Sequence, residues 1–345
     1  MQSPVKIASA AILIVALGVI GWFYLPSTKT PAPPAPKTVG ILQYLQVTGA
    51  MADGFKKKMA ELGYVEGQNV TYIFERFDVP AEGTATAQKL LGQKVDMIYA
   101  ITSVAGRGAL AATKEAGVNT PIVYAHANSP VSDGLAASFR SSGNNATGVA
   151  VNIPEVTAKK LEFLKQINPN IKKVLTFDAV FSDPAQVTGL AELDTQAPKF
   201  GITVVKYKIQ GSPGPAGNAE IQKYMQALKP GDFDAFLQPA GPVAGDFGGF
   251  KILLVEVTRL KLPAVYLNIP FVKAGGLFSY GHDTFGVGEQ AAVMADKVLK
   301  GTKPSDIPIE FAAANELDLN LKAAAEIGIT FPDTMLSTAK VKVTQ

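Results

Sequence analysis

The sequence has no cysteine among its 345 residues. This absence excludes disulfides, thiolate metal sites, a thiol nucleophile and a lipid anchor on an N-terminal cysteine. It leaves the compartment undecided, because an extracytoplasmic protein can also lack cysteine. Tryptophan occurs once, at Trp22, and histidine only twice, at His126 and His282.

No excess of charge of either sign is present: charged residues make up 18% of the chain, which is ordinary for a globular protein, and the formal net charge is only +3. No basic run stands out, which argues against a nucleic-acid partner. The hydrophobic fraction of 47% is ordinary for a globular protein and argues against disorder over most of the length. A chain of 345 residues is expected to fold as two domains rather than one.

One long hydrophobic run lies near the N-terminus. Ile7 to Leu25 contains no charged residue, and its length at about 1.5 Å per residue nearly crosses a hydrocarbon core of about 30 Å. We therefore predict a signal anchor or transmembrane helix over residues 1–25, followed by a stiff proline-rich linker over residues 26–38. A cleaved signal peptide is the competing interpretation, although its apolar region is usually shorter.

A strand, a helix and a second strand are predicted in the first half of the chain. Val95 to Ala100 is a short apolar run of strand formers, Val104 to Ala116 is a helix of small residues, and Ile122 to Ala125 is a second apolar run. Two fully apolar strands joined by a helix indicate a right-handed βαβ unit in a parallel sheet that is covered on both faces.

The same alternation begins at Val39 and starts again near Val151. The helices predicted in the second copy are Thr157–Ile167, Asp183–Phe200, Ile221–Leu228, Phe250–Leu260 and Phe285–Leu299. Two similar α/β halves, each with short connections, predict a two-lobed protein with a cleft between the lobes.

Several phrases carry a resemblance to a known family. They are "ELGYVEGQNV" (61–70), Asp96 to Ala109, Thr120-Pro-Ile-Val123, Ser129-Pro-Val131, Gly143-Asn144 to Val149, Tyr280 to Asp283, and "GTKPSDIP" (301–308). In this order and spacing the chain resembles the extracytoplasmic substrate-binding proteins of ABC transporters, in the family with tryptophan- and phenylalanine-binding members. The resemblance covers Val39 to about Leu336.

The resemblance implies an α/β fold of two Rossmann-like lobes, the type I periplasmic-binding-protein fold, which close on a ligand by a hinge. It places residues 39–149 and 282–301 in lobe 1, residues 150–281 and 302–336 in lobe 2, and leaves 337–345 as a tail. The implied function is to capture a small solute, an amino acid or similar, and to deliver it to an ABC permease with its ATPase.

Polar side chains follow the predicted strands, where ligands sit in such sheets. Thr102 and Ser103 with the adjacent helix start form a ready site for an anionic group, and Asn128 and Ser129 can add hydrogen bonds. Asp283 is the natural acceptor for an ammonium group, although it could instead cap the helix that follows. The candidate ligand-binding residues are Gln43, Tyr44, Thr102, Ser103, His126, Asn128, Ser129, Phe181, Gln238, Asn268, His282 and Asp283.

Two features depart from the family pattern. Family members often carry Thr-Asp-Asn after a strand of lobe 2, where this chain has Ala240-Gly241-Pro242, so the acidic partner expected there is absent. The only tryptophan lies in the predicted membrane segment, so the cleft has no indole ring.

Both histidines fall at predicted cleft positions. With Asp283 they could form a site of two histidines and one carboxylate for a metal ion, although we predict no metal and no cofactor. A solute affinity that changes between pH 5.5 and 8 is the preferred expectation, because histidine titrates near neutrality.

An enzyme that uses the same cleft is an alternative of another class. The sequence has no G-x-S-x-G elbow, and the loop from Gly241 to Gly249 lacks the G-x-G-x-x-G spacing and the P-loop Lys-Ser/Thr. We therefore expect no enzyme activity. A membrane-tethered ectodomain that senses a ligand for a partner is the other alternative. We expect a monomer on the extracytoplasmic face, tethered by its N-terminal segment or secreted if that segment is cleaved.

Overall fold

The computed structural model describes residues 36–44, 48–179, 184–212, 214–239 and 247–344. Residues Lys37–Gln345 form one compact unit. Within its described parts, this unit contains two β-sheets, each flanked by helices.

The first sheet has six strands in the order β11-β5-β4-β3-β1-β2, and all its neighbouring pairs are parallel. Its strands are β1 (Lys37–Tyr44), β2 (Val70–Phe77), β3 (Met97–Ile101), β4 (Ile122–Ala127), β5 (Ala146–Ala150) and β11 (Glu310–Phe311). The helices α1 (Gly49–Glu61), α2 (Gly83–Gly92) and α3 (Ser103–Glu115) connect the first four strands.

The second sheet has seven strands in the order β13-β12-β10-β9-β8-β6-β7. Its strands are β6 (Lys173–Ala179), β7 (Thr203–Ile209), β8 (Ala235–Leu237), β9 (Ala264–Tyr266), β10 (Phe278–His282), β12 (Asn315–Asn320) and β13 (Val341–Val343). Its helices are α4 (Ile153–Ile167), α5 (Pro184–Gln196), α6 (Pro215–Ala227), α7 (Phe247–Arg259), α8 (Ile269–Lys273), α10 (Leu321–Ile327) and α11 (Asp333–Thr338). Only the β10–β12 pair is antiparallel among the described pairs of this sheet.

The first sheet is covered on both faces, as its apolar strands predict. Side chains alternate along β1, so that Ile41 packs with one hydrophobic cluster and Leu42 with another. The first cluster includes Phe55 of α1, and the second includes Ala109 of α3. All five residues of β3 are buried. A strand covered on both faces reads as a continuous apolar run, because neither set of alternating side chains faces water.

The chain passes between the sheets three times. It leaves the first sheet after β5 and returns after β10, because α9 (Thr284–Leu299) packs against α1 of the first lobe. It then pairs β11 with β5 and reaches the second sheet again at β12. The sequence assigned residues 302–336 to lobe 2, whereas the pairing places the first part of this segment, through Phe311, on the first sheet.

Most of the predicted elements are confirmed, and the differences are helix starts and a few short elements that were not predicted. The helix predicted from Thr157 begins at Ile153, and the one predicted from Ile221 begins at Pro215. In both, a proline occupies the first helical turn, where its missing N–H costs nothing. The strands β5 and β11, the short helix α8 and the elements from β12 onward were not predicted. The predicted tail over 337–345 contains β13, which pairs with β12 in the second sheet.

The predicted signal anchor over residues 1–25 lies outside the described residues, as does the linker up to residue 35. Within the described ranges, none of the helices combines the length and the apolar character needed to cross a membrane.

Candidate functional site

The candidate residues of the first lobe lie at one edge of the first sheet. Gln43 and Tyr44 end β1, Thr102 follows β3, and Asn128 follows β4. Because β1, β3 and β4 are parallel neighbours, their carboxyl ends meet at the same edge.

The candidate residues of the second lobe share an edge in the same way. Gln238 follows β8, Asn268 follows β9, and His282 ends β10. The three strands are parallel neighbours, so these residues lie at their common carboxyl edge.

The two edges meet at the two histidines. The ring centroids of His126, on β4, and His282, on β10, are 5.5 Å apart, and the ring planes meet at 75°. The two residues lie at the carboxyl ends of strands from different sheets. Their contact places this part of the candidate site between the lobes.

Both histidines are neutral over the physiological range. Burial lowers the pKa of His126 to about 4. Burial also lowers the pKa of His282 to about 3. His126 lowers it further, the Asn315 side chain opposes the decrease, and the charge of Lys160 adds a smaller decrease. Neither ring therefore titrates between pH 5.5 and 8, which removes the basis for the expected histidine-driven pH dependence.

The backbone is strained at two neighbouring strand ends. Thr102 has φ 90° and ψ 163°, a region that is almost exclusive to glycine. His126 has φ 57°, in the left-handed region. Their preceding residues, Ile101 and Ala125, face each other across the β3–β4 pair. Strain of this kind tends to collect at ligand sites, where surrounding contacts hold it.

The two hydroxyl residues after β3, Thr102 and Ser103, differ in their hydrogen bonding. The Ser103 hydroxyl oxygen accepts a hydrogen bond from the Asn128 N–H at 3.0 Å, which ties the ends of β3 and β4 together. Thr102 is the N-cap residue of α3, but its hydroxyl makes no capping hydrogen bond. Its Oγ1 is buried without a partner, so it is available to a ligand.

Other buried polar atoms at this edge also lack partners. One of them is Asn268 Oδ1. Asn315 Oδ1 and the ring nitrogens of His282 also make no well-aligned hydrogen bond, although an interaction with the Asn315 side chain raises the pKa of His282. Asn315 lies opposite His282 across the β10–β12 pair, and its amide donates to Glu155 Oε1 at 3.2 Å. A buried polar atom without a partner costs about 1–3 kcal/mol, so these atoms are candidates for contacts with a ligand.

Asp283 is engaged within the chain. Its Oδ1 accepts the N–H of Gly286 at 2.8 Å as the N-cap of α9, and its Oδ2 lies 3.1 Å from Lys340 Nζ. Burial raises the pKa of this carboxyl, but hydrogen bonds with Glu316, Gly286 and Lys340 outweigh burial and bring the pKa below its ordinary value. The capping role that the sequence left open is therefore present, and both oxygens are used.

The remaining candidates are less exposed to a ligand or lie elsewhere. Tyr44 is buried in a hydrophobic cluster with its ring 5.4 Å from that of Phe77. Gln238 is buried, and its Oε1 accepts the Leu267 N–H at 3.1 Å. Ser129 is half-buried at the start of a turn, where its carbonyl accepts the Asp133 N–H. Phe181 lies outside the described residues.

Sequence reasoning missed Lys160. It lies on α4 and is only 8% exposed, on the helix face that also buries Leu161 and Leu164. A lysine on the apolar face of an amphipathic helix is a signal that a helical-wheel view of this segment would have shown.

The candidate site offers few ligands for a metal ion. Among the described residues, no group of three histidine and acidic side chains is close enough to bind one. The carboxylate of the proposed two-histidine set is that of Asp283, whose oxygens are already taken by Gly286 and Lys340.

Comparison with known proteins gives one family. Residues 38–343 match the family described as ABC transporter substrate binding protein. A tyrosine-binding protein from Clostridioides difficile (strain R20291) is 26% identical over 291 residues, which are 82% of this chain and 79% of that protein.

Solved structures share the architecture. An ABC domain in complex with L-Trp from Streptococcus pneumonia superposes with a TM-score of 0.77 at 25% identity, over 90% of this chain and all of that one. The ligand-free, open structure of a substrate-binding protein with adhesive properties from Clostridium difficile gives 0.68 at 23% identity, over 90% of this chain and 100% of that one. The resemblance seen in the sequence and the two-lobed type I periplasmic-binding-protein fold are thereby confirmed.

Proposed function

The chain belongs to the family of ABC transporter substrate-binding proteins, and from that premise we propose that it captures a small amino-acid-like solute between its lobes and delivers it to an ABC permease. The proposed site comprises Thr102, His126, Asn128, Asn268 and His282. We propose that it works as a binding protein without a catalytic step, on the extracytoplasmic side.

The observation that carries this proposal is the meeting of two sheet edges at His126 and His282, with unpartnered polar atoms beside it. Small-ligand sites combine apolar walls with a few polar groups of this kind. The relatives support the solute class, since one is a tyrosine-binding protein and another was solved with L-Trp.

We propose that the lobes close by hinge bending, and the three chain passages between the sheets support this. A solute that touches both edges binds the closed arrangement more tightly than the open one, and this difference in affinity shifts the population toward closure. The released protein returns to the open arrangement once the permease takes the solute.

Thermal unfolding of the full chain tests the proposal. L-tyrosine, L-tryptophan and the other amino acids are added one at a time, beside short peptides, nucleosides and sugars. A solute at 100 times its Kd adds about 2.7 kcal/mol to the free energy of unfolding, which appears as a clear rise in Tm. Small-angle scattering with the same solute should show a smaller radius of gyration. A rise in Tm with sugars or nucleosides alone would refute the amino-acid class.

A further inference from the structure

Lys160 is a buried lysine with no acidic partner. It is 8% exposed, and among the described residues no carboxylate lies within ion-pair distance of its ammonium group. The adjacent Lys159 differs, because its Nζ pairs with Glu162 Oε1 at 2.8 Å. A buried charge is costly unless it is paired, so an unpaired buried lysine calls for an explanation.

The packing of α4 against β10 shows where Lys160 lies. Phe163 of α4 packs edge-on against Phe278 and Tyr280, with ring centroids 6.5 and 5.3 Å apart. Lys160 is three residues before Phe163 on the same helix face, and His282 is two residues after Tyr280 on the same strand face. Lys160 therefore lies toward His282, and its charge contributes to the lowered pKa of that histidine.

His126 and His282 are in ring contact, and Lys160 lies toward His282 from the adjacent helix. We call these three residues the basic cluster. The acidic side chains Glu155 and Asp283 near this cluster already have hydrogen-bond or ion-pair partners. Glu155 accepts hydrogen bonds from Asn152 at 2.9 Å and Asn315 at 3.2 Å, and Asp283 holds the start of α9 and Lys340. Within the described part of the chain, no anionic group neutralises the Lys160 ammonium.

We propose that the basic cluster is the subsite for the carboxylate of the bound solute, and that the protein selects solutes with a free carboxylate. The Lys160 ammonium forms the ion pair, and a neutral imidazole of His282 donates an N–H to the same carboxylate. Thr102 Oγ1 and Asn268 Oδ1 remain as acceptors for an ammonium group. This inference rests on the proposed function, because it assigns one end of the same solute.

The experiment uses three probes and the full chain. L-tyrosine carries both charged groups, 3-(4-hydroxyphenyl)propanoate keeps only the carboxylate, and tyramine keeps only the amine. Titration calorimetry should show binding of the first two and at least a 100-fold weaker affinity for tyramine. Lys160→Met should weaken binding of both acids by about 30-fold or more, as the loss of one partner of a buried charge pair does.

Two further variants serve as controls. Lys159→Met removes the neighbouring paired lysine and should change the affinity by less than about twofold, since that lysine pairs within α4. Lys160→Arg keeps the positive charge and should retain most of the affinity that Lys160→Met loses. Tyramine binding as tight as that of L-tyrosine, or equal affinities in Lys160→Met and Lys159→Met, would overturn the proposal.

A failure of the proposed amino-acid function gives a different pattern. If none of the three probes binds, a panel of aliphatic and sugar mono- and dicarboxylates is titrated into the same protein. Binding of one of them that Lys160→Met abolishes supports the basic cluster as a carboxylate subsite for another solute. If the unsubstituted chain binds no carboxylate in either panel, the carboxylate subsite is overturned together with the amino-acid class.

Discussion

Asp283 and Lys340 are joined by an ion pair of 3.1 Å between Oδ2 and Nζ, while Asp283 Oδ1 caps α9 through the Gly286 N–H. Lys340 also pairs with Glu316 of β12. The carboxylate therefore links the start of a first-lobe helix to the edge of the second sheet. Asp283 thus stabilises the connection between the lobes, and we expect other groups to bind the solute.

This relationship predicts that Asp283→Asn leaves solute binding intact. Asparagine is as good an N-cap as aspartate, and an ion pair with a half-exposed lysine is worth at most about 1 kcal/mol. We expect a stability loss below about 1 kcal/mol in urea unfolding and a solute Kd within twofold of the unsubstituted chain. A loss of affinity of tenfold or more would show instead that Asp283 receives the ammonium group, as the sequence suggested.

A second prediction concerns the contact between α1 and α9. A Cβ on Gly288 would overlap the backbone carbonyl oxygen of Met51, which cannot move without shifting the helix. Gly288→Ala should therefore destabilise the protein by about 2 kcal/mol, because overpacking outweighs the gain in helix propensity.

Gly92, at the end of α2, provides the matched control. A Cβ there meets no atom within 4 Å, so Gly92→Ala should raise stability by about 0.5–1 kcal/mol. Urea midpoints of the two variants measure both effects. Equal stabilities for Gly288→Ala and Gly92→Ala would show that the two helices can separate at no cost.

The sequence was a good guide to the fold because its signals were local. Apolar runs such as Ile122 to Ala125 and the polar residues after them identify parallel strands and their ligand-facing edge without tertiary information. The strand β5 was harder to recognise, since it includes Gly148. Glycine is required there because a Cβ would overlap the Tyr124 carbonyl oxygen of the neighbouring strand, and such a close approach is invisible in the sequence.

The site was less predictable because its roles depend on partners. An aspartate before a helix has the same sequence signature whether it caps that helix or binds an ammonium group, and only the distances at Asp283 distinguish the two. The low pKa values of His126 and His282 depend on burial between lobes. Lys160 was missed because the predicted helix began at Thr157, which placed the lysine in a first turn rather than on a buried face.

A third prediction follows from the backbone at Thr102. Its φ of 90° and ψ of 163° cost about 1–3 kcal/mol for a residue with a Cβ. Thr102→Gly should relieve this strain and raise the free energy of unfolding by about 1 kcal/mol, while Thr102→Ala keeps the strain and should give no such gain.

The affinity of these variants for L-tyrosine, or for the solute that thermal unfolding identifies, distinguishes the effect of backbone strain from the effect of losing the Thr102 hydroxyl. Both lack the Oγ1 atom, so both should bind the solute more weakly, by about fivefold to tenfold for one neutral hydrogen bond. An unchanged affinity in Thr102→Ala would mean that the hydroxyl faces no ligand, whatever the stability of the glycine variant.

The last prediction is that Lys160→Met makes the protein more stable. Burial lowers the pKa of Lys160 from 10.5 to about 8. Between these two values the unfolded chain binds more protons than the folded chain, so stability rises with pH across that window and the full penalty is present below pH 8. At pH 7 the methionine variant should gain about 3 kcal/mol over the unsubstituted chain.

The gain should shrink as the pH rises from 8 to 10.5, because the neutral lysine of the unsubstituted chain no longer carries the penalty. Lys159→Met should change stability by at most about 1 kcal/mol, since Lys159 is partly exposed and paired with Glu162. Urea unfolding at pH 7 and 9.5 measures all three proteins. A Lys160→Met variant no more stable than the unsubstituted chain at pH 7 would show that this cost does not exist.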